Sequence, residues 1–397
     1  MLSTDGLTLT VGGVEQNVRA ALVTFSGDNL SAHMIGGFDM SFNSGRVCRH
    51  CMGTYTDIKE KFQEDSYVLR TSDVHQYHLE CIQKNPDSRA TYGVQCSCPF
   101  NVLPYFDVTK SLPPDVMHDL LEGVIPLVLK HVLCQAHKQK HISIQEVNEE
   151  LQRMTIGQND RANKPVQLSE RLLQKGGIVG SASQKWCLFR LIPFLITHHI
   201  PLECQYWRVY LLCREIVDIV LAPMVRRENL PLLDELVQEF LTELNAVFGD
   251  VITPKCHYLI HYSILMSMFG PLRSLWCMRF EAKHQYFKNV ASNCRNFINI
   301  ASTLSNRHQL KQCWEFSSNN FLDDFEKVPR SSTSTPFCSL PFTLQCALEQ
   351  YFTDVSFSED KVIQRVSEVT VNNVKYATQD VFVVDVLHGE RIPLFSK

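Results

Sequence analysis

The sequence predicts an α+β fold, with strands near the two ends of the chain and a long helical middle. Near the start, Leu7, Leu9 and Val11 alternate before Gly12-Gly13, the signature of a strand entering a tight turn. From Pro113 to about Arg227 the apolar residues recur at helical spacing, as in Met117, Leu120, Leu121, Val124, Leu127 and Val128. Beyond residue 366, "VSEVTVNNVKYATQDVFVVDVLHGERIPLF" alternates again, with Asn372-Asn373 and His388-Gly389 as turns.

The first strand leads through Gly12-Gly13 to a second apolar strand predicted through Leu22–Phe25 and stopped by Ser26-Gly27-Asp28-Asn29. Asp28 then stands at a strand end, or acts as turn former or N-cap of the next segment. Residues 46–100 read as loop-rich and carry Cys48, Cys51, Cys81, Cys96 and Cys98. These shifts divide the chain into a strand-bearing start (1–112), a helical block (113–250), a basic helical block (251–328), a linker "PRSSTSTP" (329–336) and a small β module (337–397).

At 397 residues, 45% hydrophobic and 20% charged, the composition is that of a globular chain. A formal net charge of −4 gives no general attraction to nucleic acid, so such binding requires a local patch. The apolar stretches Cys187–Leu202 and Trp207–Val225 are interrupted by Arg190, Pro193, Arg208, Arg214, Glu215 and Asp218. They read as buried helices and not as membrane spans. Met1-Leu2-Ser3-Thr4-Asp5 has no signal-peptide pattern. A reducing compartment is therefore expected for the fifteen cysteines, where a close Cys pair reads as a metal site.

Cys48-Arg49-His50-Cys51 has the C-x₂-C spacing of a zinc half-site. "KCHYLIHY" offers His257 and His261, four apart and so on one helix face, as a second half-site. Local alternatives are Cys96, Cys98, His50, His75 and His78. Between Val251 and Trp314 there are eight Lys or Arg residues and one acidic residue, Glu281. Arg279, Lys283, Lys288, Arg295, Arg307 and Lys311 are candidates to neutralise a phosphate backbone. Phe280, Phe287 and Ile298 are predicted to face a core. Glu281 is either a surface ion-pair partner of Lys283, His284 or Lys288, or a carboxylate holding a cation against phosphate, with Asp28 as the second one.

The ordered set "SGDN", "CRHC", "PPDVMHDLLEGV", "CHYLIHY" and "FGPLRSLWCMRFEAKHQYFKN" resembles DDE/RNase H-like transposases of the CACTA–Mirage–Chapaev group. It resembles, more remotely, the catalytic subunit of the V(D)J recombinase. The resemblance spans residues 5–315. It implies an incomplete RNase H-like core with a large all-helical insertion. It makes Asp28 and Glu281 vestigial catalytic carboxylates, makes Cys48, Cys51, His257 and His261 structural zinc ligands, and matches Asp115-Val116-Met117-His118 to the family's Asp-x-x-His. The family's first catalytic Asp falls upstream of Met1, so the expectation is an inactive DNA-binding or interaction protein. The alternatives are a fragment of an Mg²⁺-dependent DNA-cutting and strand-transfer enzyme, and a helical protein-binding scaffold. A nuclear location follows from the resemblance, a cytoplasmic one without it; DNA is the expected partner, a membrane is not, and homo-oligomer formation is compatible with it.

Overall fold

The computed structural model describes residues 4–201, 203–317, 326–327, 333–351, 362–365, 368–371 and 374–377. These are mostly helical, with short antiparallel strands, an α+β arrangement. They form two compact units, Met1–Met154 with Pro165–His284 and Thr155–Lys164 with Gln285–Lys397.

The first unit opens with a hairpin of β1 (Leu7–Val11) and β2 (Val14–Val18), in register Leu7↔Val18 and Val11↔Val14. Gly12 and Gly13 both have positive φ, 60° and 81°, which a primed two-residue turn requires. The strand predicted through Leu22–Phe25 is not there. That segment has no sheet neighbour, and Leu22 and Val23 are exposed. The strand pairing is completed by Val14–Val18, two residues after Val11, so the segment has no ladder left to join.

Asp28 is the N-cap of α1 (Asn29–Gly36), its Oδ1 accepting from Ser31 N at 2.6 Å. Gly37 ends the helix at φ 71°, and a Cβ there would lie 2.0 Å from the Cys96 carbonyl oxygen. Only glycine fits that crossing. The segment predicted as loop contains α2 (Ser72–Lys84), followed by α3 (Arg89–Tyr92). The buried face of α2 is His75, His78, Leu79 and Ile82. Half of that face is histidine, which masks the helical period. With Phe38, Val94, Phe106 and Leu112 this helix closes a small core.

The main core begins at a π-helix, Met117–Val124, and runs on through α4 (Ile125–Lys138), α5 (Ile144–Arg153), α6 (Glu170–Lys175), α7 (Ala182–Ile196), α8 (Gln205–Val220), α9 (Leu230–Phe248), α10 (Pro254–Tyr258) and α11 (Tyr262–Phe269). Helix α8 packs on α4 and α9, while α7 and α10 pack on the π-helix. In α9 the buried positions Leu233, Val237, Phe240, Leu241 and Leu244 form one stripe, each side chain worth about 1.5–3 kcal/mol.

Two prolines shape this core. Pro126 has no N–H for the Glu122 carbonyl four residues back and its ring crowds that oxygen. The preceding turns widen into the π-helix, and Lys255 Nζ donates to the released Glu122 oxygen at 3.3 Å. Pro193, inside α7, likewise frees the Phe189 carbonyl, which Tyr210 OH takes at 2.6 Å. Buried backbone oxygens are thus satisfied by side chains distant in sequence. No helix among the described residues is long and apolar enough to cross a membrane.

Helix α12 (Met278–Cys294) starts in the first unit. The second unit holds its remainder and α13 (Ile300–Ser317). Strand β3 (Glu326–Lys327) pairs with β6 (Glu368–Val371), and β6 with β7 (Val374–Ala377). Strand β4 (Thr333–Pro336) pairs with β5 (Val362–Arg365), and α14 (Phe342–Tyr351) lies between them in sequence. The last four residues of the segment 329–336, read as a linker, are therefore β4; its first four, and His388-Gly389, lie outside the described residues. Phe280 and Ile298 do not face a core: they are 54% and 88% exposed. Phe280 points away from the main core, whereas Met278 on the same helix packs against it and Phe287 is half-buried against His308; Ile298 lies in the connection between α12 and α13.

Candidate metal centre and acidic cleft

Four ligand-type residues meet in the core of the first unit. The Sγ atoms of Cys48 and Cys51 and one ring nitrogen each of His257 and His261 all lie within 4.8 Å of one another. Cys48 and Cys51 sit on one tight loop, and the N–H groups of His50 and Gly53 donate to their sulfurs at 3.3 Å. His257 belongs to α10, and His261 to the single turn Leu259–His261 that leads into α11. Cys48 Sγ lies 3.5 Å from His261 Nε2, and Cys51 Sγ 3.3 Å from His257 Nε2. A tetrahedral ion with Zn–S near ~2.3 Å and Zn–N near ~2.0 Å separates sulfur and nitrogen by about 3.5 Å. The donor set and its spacing therefore fit zinc. His261 Nδ1 meets Glu64 Oε1 at 2.7 Å, which turns Nε2 towards the sulfur.

The electrostatics agree with a site that holds a cation. Burial pushes the Cys48 thiol up, but its bond from Cys51 and the charges of His261 and His257 outweigh this and hold it well below the usual thiol range. Burial and the neighbouring Cys48 push Cys51 well above it. Burial lowers His261, yet the Cys48 thiolate and Glu64 carry it to about 9. Loading a metal displaces the protons that its thiol and imidazole ligands carry. The sequence alternatives are not part of the cluster. His50 lies beside His261, ring centroids 5.4 Å apart, and His75 packs on Phe38 at 5.4 Å, while His78 stacks on Tyr92 at 4.2 Å. Cys98 is in the smaller core and Cys96 is exposed.

A second constellation centres on His118, which the π-helix presents beside Glu122. Its Nδ1 lies 2.5 Å from Asp115 Oδ2, and its Nε2 3.3 Å from Glu281 Oε1 and 3.9 Å from Glu122 Oε2. Asp115 Oδ1 also accepts from Met117 N and Cys277 N, each at 3.0 Å. One buried carboxylate thus caps the π-helix, orients the imidazole and anchors the start of α12, which carries Glu281. The bond from Asp115 raises His118, burial opposes it, and the charges of Asp115, Glu122 and Glu281 add to the rise. Burial pushes Asp28 up, but Ser31 and the charge of His118 hold it below the usual carboxylate value. Asp28, His118 and Glu122 line a cleft of ≈ 500 Å³ with Lys255, Phe42 and Tyr258. Burial raises Cys277, and the charges of Asp115, Asp28 and Glu281 add to it. Asp28 and Glu281 therefore act on the same small group of side chains.

Of the basic residues, Arg279, Lys288, Arg295, Arg307 and Lys311 are exposed and Lys283 is half-buried. Arg295 adopts a left-handed φ of 50° at the end of α12. Lys311 pairs with Glu315 at 3.3 Å and covers the Tyr286 ring at 4.8 Å. Sequence reasoning missed Glu64 and Glu122 as members of these sites; Glu64 carried no signal, lying far in sequence from His261, which it orients. No family model and no curated protein matches the chain.

Proposed function

We propose that the chain is a transposase-derived protein with a zinc-stapled, RNase H-like core that binds DNA through its basic helices. One observation carries the reading: the Cys48–Cys51 loop meets His257 and His261 across more than 200 residues, the separations being 206 and 213, beside a cleft shared by Asp28 and His118. That is the order and pairing that the resemblance implies. Asp28 and Glu281 then stand at the positions of family catalytic carboxylates, and Arg279, Lys283, Lys288, Arg295, Arg307 and Lys311 at those of its phosphate contacts. A nuclear location follows from the same reading.

The test is titration of fluorescent duplex DNA at several salt concentrations. DNA binding gives a log K slope against log salt of about −0.9 per phosphate neutralised, and Lys288→Glu weakens binding and flattens the slope. Affinity that is absent or indifferent to salt removes this reading in favour of a protein-binding scaffold.

His118, which lines the cleft with Asp28, lies 3.3 Å from Glu281 Oε1, and this shared neighbour favours a second reading, Mg²⁺-dependent cutting and strand transfer. It requires Mg²⁺-dependent nicking of duplex DNA that disappears in both Asp28→Asn and Glu281→Gln.

A further inference from the structure

The residue beside each of three metal ligands reaches into one buried polar network, and the far end of that network is the residue beside each wall of the acidic cleft. Arg49, next to Cys48, is 1% exposed. Its Nε donates to Leu112 O at 2.8 Å, Nη2 to Pro113 O at 3.2 Å and Nη1 to Asn29 Oδ1 at 2.9 Å. Its guanidinium stands 5.2 Å over the ring of Tyr258, next to His257. Asn29, next to Asp28, donates to Asp119 Oδ1 at 2.6 Å. Asp119, next to His118, also accepts on Oδ2 from Tyr262, next to His261, at 3.1 Å.

We propose that the metal centre sets the geometry of the Asp28–His118 cleft through this relay, with Arg49, Asn29 and Tyr262 as positioning residues. The inference rests on the metal-centre reading and goes beyond it. A fully buried guanidinium has no water to fall back on, so its donors hold their acceptors tightly. Those acceptors are the start of α1, which Asp28 caps, and the backbone just before Asp115. The four ligand atoms lie within 4.8 Å of one another, and an ion shared by all four would lock the Arg49 loop against Tyr258 and Tyr262. Removing the ion releases the loop and, with it, the acceptors that aim Asp28 and His118. Coupling of this kind is reciprocal, so occupancy of the cleft should also tighten metal binding.

The experiment is hydrogen–deuterium exchange on the full chain, zinc-loaded and chelator-treated, with zinc content measured on the same samples. Zinc removal should speed exchange at residues 29–33 and 117–124 at least tenfold more than it does in α8. Asn29→Ala and Tyr262→Phe, milder than any change at Arg49, should keep one zinc per chain yet exchange at those segments like the zinc-free protein. The midpoint of His118 by imidazole NMR, set by Asp115, Glu122, Glu281 and Asp28, should move on zinc removal in the wild type and stay put in Asn29→Ala. Exchange that rises equally in α8 makes the ion a support of folding alone and overturns the relay. So does a zinc-loaded wild type whose two segments exchange as they do without zinc, or an Asn29→Ala variant with wild-type protection. A chain that holds no zinc removes the metal centre and the relay together.

Discussion

Cys48, Cys51, His257 and His261 are each no more than 1% exposed, whereas the side chains of His118 and Glu281 keep 20% and 45% of their surface. Both groups are gathered from distant parts of the chain, and both rest on the same core. The first offers four donors on all sides of one point and leaves no approach for anything larger than an ion, the pattern of a structural metal. The second is walled by carboxylates, an imidazole and Lys255 around an open cleft, the pattern of a place where something binds. A closed site answers to removal of its ion with loss of stability; an open one answers to loss of a side chain with loss of alignment.

The sharpest way to break this comparison is at the closed site. Cys48→Ser, or chelation of the wild type, should cost on the order of 5 kcal/mol or more, since a structural zinc contributes its binding energy to folding. Thermal melts with zinc analysis would register it as a lowered but still cooperative main transition, and a melt unchanged by a chelator would make the four residues a metal-free cluster. Next is Asp115→Asn, which weakens three contacts of a buried carboxylate and should cost about 3 kcal/mol while leaving zinc content at one per chain. Loss of zinc in that variant would mean that the two sites are not separable.

The third effect is a pH dependence. His118 titrates above the ordinary histidine value of 6.5 in the folded chain. Its contribution to stability is therefore fully present below pH 6.5 and is lost as pH rises through the raised folded value. His118→Gln should flatten that stretch of the stability-versus-pH curve, and an identical curve in the variant would remove the imidazolium from the account. The smallest effect belongs to Glu281→Gln. Its carboxylate is nearly half exposed, so the melting temperature should change by an amount worth under about 1 kcal/mol; a larger loss would show that Glu281 supports the fold.

The hairpin turn was legible in Gly12-Gly13, because a two-residue turn with positive φ at both positions demands glycine whatever surrounds it. The helical middle was legible because α4, α8 and α9 bury Val, Leu and Ile at a regular period. Helix α2 escaped notice because histidines fill half its buried face, and the strand predicted at Leu22–Phe25 failed because an apolar run makes a strand only where a neighbour offers backbone partners. Phe280 and Ile298 failed for the converse reason: Phe280 lies on a face of α12 that nothing covers, and Ile298 falls in the connection between α12 and α13.

Residue types and spacings within a few positions were thus enough to determine the first strand and its turn, the buried helices and the two metal half-sites, since local backbone sterics and hydrophobic period act over one or two turns. The union of those half-sites, the π-helix relieved by Lys255, the grip of Asp115 on both His118 and the start of α12, and the Arg49 network were decided only in three dimensions. Each joins groups tens to hundreds of residues apart, and it is burial from water, a property of the packed chain, that makes their pairing obligatory.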